Sequence, residues 1–321
     1  MEYREFASDL LRGPTLVTAS PEENEELMQR HDVNQVVRQL GEGSFRSDMV
    51  TRGTERAELI ADRFSKACSM YLEPPPGCAA ILFLRTAGAP LLASGENVAN
   101  EKLVVFPEGS GTDLVTPDLT GSESIVVPGA RLVEMMNALC PTLESIWQQG
   151  VVVIQGDTAR LQTLRQAVLD LVLQRENPHP ERVSGLIAET LAWIGRYSDR
   201  ERPERLTVNG ARRRVAKLAQ QFIEDNHRNA FHLEDLCHVA GIGVRTLQRS
   251  FREYFDITIT EYLKTVRLKE VHRELSASSP VQGSVTKTAL EHGFTHLGRF
   301  SIEYRERFGE SPRETLGSRA G

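Results

Sequence analysis

The sequence predicts two units of different fold class: an α+β front part built on an antiparallel barrel or sandwich with covering helices, and an all-α back part. Three observations predict this. The chain has 321 residues, enough for about two domains of ordinary size. Short apolar runs separated by turn residues fill residues 43–127, whereas residues 212–321 read as helix almost throughout. The charge divides in the same way: residues 207–321 carry 18 Lys and Arg against 14 Asp and Glu, and residues 1–206 carry 20 against 30. An acidic front and a basic back fit a tail that faces a polyanion.

Residues 1–40 read as mixed helix and loop. Within them Ser20-Pro21-Glu22-Glu23 supplies a capping Ser, a Pro at the first helical position and a Glu at the third, opening a helix toward Leu27. Strands are expected at Ala67–Leu72, Cys78–Leu84, Leu103–Phe106 and Ser124–Val127, each closed by a Pro- or Gly-containing turn. After Pro128 the texture turns helical. Arg131–Leu139 stops before Pro141, and Thr158–Gln174 and Glu181–Tyr197 each carry an apolar stripe, with Leu161, Leu164 and Val168 on one and Val183, Ile187 and Leu191 on the other. Such a pair of helices either covers the barrel or forms the seam of a homodimer (about 158–197). Ser198–Asn209 is charged, lacks aromatics and contains Pro203, as a linker does. The expected units are therefore 1–197, a linker 198–209, and 210–321.

Several classes are excluded. No apolar run approaches the ~18 residues of a membrane span, and Met1–Arg12 has no apolar core of a secretory signal. The four cysteines, Cys68, Cys78, Cys140 and Cys237, form no C-x-x-C pair, which argues against a zinc ribbon and for reduced thiols in a cytoplasmic protein. No phosphate-cradling glycine loop and no G-x-S-x-G nucleophile turn occurs.

The function-bearing pattern lies in the back part. Leu233–Ala240 is a short helix with Glu234 and Asp235 in its first turn, Gly241-Ile242-Gly243 breaks it, and Val244–Phe255 restarts one. Leu247, Phe251 and Phe255 fall at i, i+4 and i+8, facing inward, and Arg245, Gln248, Arg249 and Arg252 occupy the opposite face. Helix, glycine turn, helix is the DNA-reading arrangement, and Arg and Gln make the bidentate contacts to guanine and adenine edges. The pattern recurs: Val285–His292, then Gly293-Phe294-Thr295, then His296–Phe308 with Phe300, Tyr304 and Phe308 inward and Arg299, Arg305 and Arg307 as the nearby cations. Between the units Ile259–Ser276 reads as one amphipathic helix of roughly 27 Å. That is close to a DNA turn of about 34 Å, so two reading helices on this spacer reach successive major grooves of double-stranded DNA.

Residues 212–316 resemble the C-terminal DNA-binding domain of AraC/XylS-type transcription regulators. The resemblance rests on A-G-I-G-V-R-T-L-Q-R-S-F (Ala240–Phe251), on T-x-x-E-Y-L-x-x-x-R-L (Thr258–Leu268) and on G-F…F-x-x-x-Y-x-x-x-F-G-x-S-P (Gly293–Pro312). It implies base reading by Arg245, Gln248 and Arg249 in the first unit and by His296, Gly298 and Arg299 in the second. Arg252 and Arg305 read as phosphate contacts or solvated charges rather than base readers, since most DNA contacts position rather than specify. His238 and His292 read as surface or packing residues. Gly243 stands where the family usually has a capping Ser, and H-L-G-R-F-S (His296–Ser301) is similar to a subgroup that includes the ethanolamine-utilisation regulator. The resemblance also implies a cupin-like, ligand-sensing and dimerising N-terminal domain, a small-molecule effector and no cofactor.

Two other readings remain from the residues themselves. A cupin-fold enzyme with a DNA-binding tail needs clustered His with a carboxylate, yet residues 1–178 hold one histidine, His31, and no His-x-His occurs. No metal and no catalytic residue is therefore expected. A constitutive regulator whose barrel only dimerises is the second. The barrel mouth reads as an apolar pocket of unassigned lining, and the aromatic content of 6 % argues against one specialised for stacking.

Overall fold

The computed structural model describes residues 1–12, 15–98, 102–139, 150–155, 158–198, 204–205, 210–229, 231–278 and 284–317. They fall into two compact units, Met1–Arg38 with Phe45–Thr207 and Gln39–Ser44 with Val208–Gly321.

The front unit contains α1 (Tyr3–Phe6), β1 (Leu16–Thr18), α2 (Pro21–Gln29), β2 (Asn34–Gln39), β3 (Ser47–Gly53), β4 (Glu58–Phe64), β5 (Cys68–Glu73), β6 (Cys78–Thr86), β7 (Leu91–Ala93), β8 (Glu96–Val98), β9 (Lys102–Phe106), β10 (Thr112–Thr116), β11 (Thr120–Pro128), α3 (Gly129–Leu139), β12 (Val152–Gln155), α4 (Thr158–Val172), α5 (Pro180–Ser198) and β13 (Glu204–Arg205). An eight-stranded sheet runs β1-β3-β4-β11-β6-β9-β12-β13, and a five-stranded sheet runs β2-β5-β10-β7-β8. Each order begins and ends on different strands, so neither sheet closes. Of the two expected forms, barrel and sandwich, the sandwich is the one observed.

Both faces of the large sheet are covered, and the period-2 alternation of its strands separates the two surfaces. Leu59, Ala61, Ile81, Phe83 and Ile125 share one core with Leu161, Leu164 and Val168 of α4 and Val183, Ile187 and Leu191 of α5. The stripe read in these helices is thus spent on the sheet. Ile60, Phe64, Leu82, Leu84 and Val126 point the other way and pack with Met70, Leu91 and Leu114 of the small sheet. The α2 helix starts as its sequence dictates: Ser20 Oγ accepts the Glu23 N–H at 3.2 Å, and Glu23 accepts the Ala19 N–H at 2.7 Å.

Residues 1–40, read as helix and loop, also contain β1 and β2, and the stretch after Pro128, read as helical, also holds β12. The four expected strands are present, but β3 and β4 were not singled out because polar residues interrupt their apolar pattern. Those residues find partners on other strands or at the N-terminus. Arg63 of β4 is fully buried, and it donates to Asp9 at 2.7 Å and to Glu123 of β11. Gly121 makes room for it: a Cβ there would sit 2.6 Å from the Arg63 side chain. Burial pushes the Asp9 carboxyl up, but Arg63 and Arg85 more than offset this and hold it below its ordinary value. Within the stretch read as a linker, Glu204–Arg205 pair antiparallel with β12, and residues 199–203 and 206–209 lie outside the described residues. Cys68, Cys78 and Cys237 are free thiols, and Cys140 lies outside the described residues.

The back unit is helical: α6 (Gly210–Asn226), α7 (Leu233–Ala240), α8 (Val244–Phe255), α9 (Ile259–Ala277), α10 (Ser284–Glu291), α11 (Leu297–Phe308) and α12 (Pro312–Gly317). Both aromatic ladders are core. Leu247, Phe251 and Phe255 are fully buried, as are Phe300 and Tyr304, while Phe308 is half-buried. Helix α9 separates the halves. It starts on a capping box in which Thr258 Oγ1 accepts the Glu261 N–H and Glu261 accepts the Thr258 N–H. Its Tyr262 ring stacks on Phe255 with centroids 5.7 Å apart, and its Leu268, Val271 and Leu275 pack with Phe300 and Tyr304.

Removing one member of a buried ion pair strands the other. Arg63→Ala leaves Glu123, 1 % exposed, facing Arg165 at 3.9 Å. Urea unfolding should show a loss of about 3–5 kcal/mol for Arg63→Ala. A loss below about 1 kcal/mol would mean that the pair is solvated.

Candidate nucleic-acid interface and front cavity

The two helix-turn-helix units are built with the same devices. Each first helix ends on a left-handed glycine, Gly241 at φ 65° and Gly293 at φ 79°. In each the following N–H closes onto the carbonyl five residues back, Ile242 on Cys237 at 3.1 Å and Phe294 on Ala289 at 2.9 Å. A side chain at φ > 0 is strained, which accounts for glycine at both positions. Gly243 caps α8 in extended geometry without a side chain, as the missing Ser implies. Asp235 accepts the His232 N–H at 2.8 Å at the start of α7.

On α8 the residues Arg245, Gln248, Arg249 and Arg252 are all exposed, opposite the buried ladder. Arg249 donates to Glu253 at 2.7 Å, and Glu253 also meets Arg212 at 2.9 Å. The hydrogen bond from Arg249 holds the Glu253 carboxyl below its ordinary value. On the second unit Gly298, Arg299 and Arg305 are exposed. The helix starts at Leu297, so His296 is its N-cap rather than its first turn. Arg299 donates to Glu303 at 3.0 Å, and Lys264 lies 3.3 Å from the same carboxylate. Arg249 and Arg299 are thus each held by a glutamate one turn on, whose carboxylate also meets a second cation. Such exposed pairs contribute little to stability and release their arginine at small cost.

Two nearby residues differ from the sequence reading. Arg307, grouped there with the nearby cations, is buried and donates to Thr265 at 2.6 Å. Ile302, not singled out, is 61 % exposed. It lies at i+4 from Gly298 on the outward face, and an apolar side chain there matches a thymine methyl. That spacing was the available signal. His238 is exposed, whereas His292 is fully buried and stacks on His227 with ring centroids 5.6 Å apart.

The family match falls on this unit, and some of the other comparisons extend beyond it. Residues 236–318 match the family described as a helix-turn-helix domain. The XylDLEGF operon transcriptional activator 2 of Pseudomonas putida is 38 % identical over 96 residues, which are 30 % of this chain and 61 % of that protein. The HTH-type transcriptional activator RhaS of Pectobacterium atrosepticum is 24 % identical over 159 residues, 50 % of this chain and 55 % of that protein. The chain thus covers less than two thirds of either relative. A solved structure of a probable AraC family transcriptional regulator from Rhodopseudomonas palustris CGA009 is 33 % identical and is covered over 96 % of its length by 33 % of this chain, with a TM-score of 0.31. Residues 236–318 are thus a helix-turn-helix domain, similar in sequence to part of a transcriptional activator. ToxT from Vibrio cholerae O395 is 9 % identical over 89 % of this chain, with a TM-score of 0.30.

The front unit holds a cavity of about 70 Å³ between its two sheets. Its walls are mostly apolar, among them Phe64, Met70, Leu82 and Phe106, with Gln35, Asp62, Thr116, Thr120, Ser122 and Ser124 as polar points. The sequence reading left this lining unassigned because strand register decides it. Among the described residues no group of three or more His, Cys, Asp or Glu is placed to hold a metal ion, and no helix is long and apolar enough to cross a membrane.

Gly298 lies at the start of α11, and a Cβ there would meet nothing within 4 Å. Gly298→Ala should therefore raise the melting temperature, by up to about 1 kcal/mol of stability, while weakening DNA binding wherever the helix start lies against the duplex. A stabilised variant with unchanged DNA affinity would place that helix start away from DNA.

Proposed function

We propose that this chain is a ligand-responsive, sequence-specific DNA-binding transcription regulator rather than an enzyme. The observation that carries the reading is the duplicated helix-turn-helix with matching exposed faces, joined by the 19-residue helix α9. Such a helix is about 28 Å long, near the ~34 Å of a DNA turn. In this reading α8 and α11 enter successive major grooves of an operator. Arg245, Gln248 and Arg249 read bases in the first groove, His296, Gly298 and Arg299 read bases in the second, and Arg252 and Arg305 hold phosphates.

Residues 1–197 form the sensing unit and residues 210–321 the DNA-binding one, with the cavity between the two sheets as the effector site. Effector binding acts by changing the geometry of a homodimer or the freedom of the DNA-binding unit. The apolar stripes of α4 and α5 are buried on the sheet, so pairing of two chains through residues 158–197 uses the outer faces of these helices.

Selection of bound duplexes from a random library by the full-length protein tests the reading. A motif of two blocks about one turn apart is the expected result, and recovery of no motif, with and without metabolites, would overturn it. On the selected operator, Arg249→Ala should lose on the order of ten- to a hundred-fold in affinity and relax preference at one base position. Arg252→Ala should weaken all sequences alike and flatten the salt dependence. Equal weakening of every sequence by Arg249→Ala would remove it from base reading.

A further inference from the structure

Strand β4 sends Ile60, Asp62 and Phe64 into the cavity, and one of the three is an acid. Asp62 lines the wall beside Ile60 and Phe64. Its Oδ1 accepts the Ser122 N–H at 3.0 Å and its Oδ2 accepts the Ser122 Oγ–H at 2.8 Å. These two bonds clamp the carboxylate to β11. A carboxylate accepts about four hydrogen bonds in all, so both oxygens keep acceptor capacity. Among the described residues that line the cavity there is no Lys, Arg or His, and Asp62 is the one ionisable side chain. The charged groups nearest to it in sequence and across the strand pair, Arg63 and Glu123, project to the opposite face of the sheet and are engaged with Asp9 and with each other.

An acid walled by apolar side chains has two consequences. An anionic ligand head would set two negative charges together against mostly apolar walls, where water screens them less than in bulk. A head that donates hydrogen bonds fills the acceptor capacity that Ser122 leaves on Asp62. The apolar remainder of the cavity takes the body of such a ligand. We infer that the cavity selects an apolar molecule whose polar end donates a hydrogen bond to Asp62, a primary amine or an alcohol, and rejects carboxylates of the same length. This inference rests on the reading of the cavity as the effector site and names its ligand class. Burial also pushes the Asp62 carboxyl up to about 6, so the site is charged at pH 7.5 and neutral in mild acid.

Calorimetric titration of the full-length protein with hexylamine, hexan-1-ol and hexanoate at pH 7.5 tests it. Hexylamine should bind most tightly, hexan-1-ol more weakly, and hexanoate not measurably. Asp62→Asn should cost hexylamine tenfold or more and change hexan-1-ol less than threefold. In the wild type, hexylamine affinity should fall below pH 6 by about tenfold per unit, because the ligand ammonium needs the ionised acid. This profile also carries the test should Asp62→Asn unfold by circular dichroism. Ala80→Leu, which fills the cavity without touching the carboxylate, should abolish binding of all probes. Hexanoate binding as tight as hexylamine, or hexylamine binding indifferent to both Asp62→Asn and pH, overturns the ligand class. If Ala80→Leu abolishes that binding, the cavity remains a ligand site. If no probe binds, or binding survives Ala80→Leu, the cavity reading falls with it, whatever the outcome of the duplex selection.

Discussion

The packing of two aromatic ladders on the central helix α9 is the constraint from which the outward surface of the back unit follows. Phe251 and Phe255 close on Tyr262, and Tyr262 is held from behind by the Gln220 amide at 2.9 Å. Phe300 and Tyr304 close on Val271 and Leu275, with the Tyr304 hydroxyl donating to Thr315 at 2.9 Å. A helix with a buried side at i, i+4 and i+8 has its opposite side determined. Arg245, Gln248 and Arg249 are outward because Leu247, Phe251 and Phe255 are inward. The same holds for Arg299 against Phe300 and Tyr304. The glycine turns and the capping box of α9 set where each helix begins, so the proposed base-reading side chains are placed by turns and buried residues around them.

In the front unit the alternation of a sheet covered on both faces does comparable work. Strands β4 and β11 place Arg63 and Glu123 on one surface and Asp62 and Ser122 on the other. The first pair is an ion pair buried under the helices. The second is a lone acid clamped by its neighbour at the wall of a cavity. Two carboxylates on adjacent strands, Asp62 and Glu123, thus have opposite roles, and the single step between residues 62 and 63 separates stability from recognition.

The sequence was most legible where one element carries its own signal. The glycine turns, the aromatic ladders, the α2 cap at Ser20 and the helices near 158–197 were all readable locally, since helical burial repeats within a few residues. The outward face of α8 followed directly. The start of α11 was less clear, because His296 lacks the pattern of a helical residue and serves as a cap. Ile302 escaped because an exposed apolar residue beside a ladder looks like part of the core. Arg307 was misplaced because a lone arginine reads as surface unless its buried acceptor, Thr265, is known.

By itself the sequence determined the two-part architecture, the duplicated helix-turn-helix and the side chains it turns outward, because these depend on periodicity and turn chemistry within short stretches. Only the tertiary structure decided that the sheets form an open sandwich, that β1, β2 and β12 join it, and that Asp62 lines a cavity while Arg63 is sealed beneath helices. Sheet order and register join residues far apart in the chain, such as Asp62 with Ser122 and Arg63 with Asp9. No local pattern encodes which of them will meet.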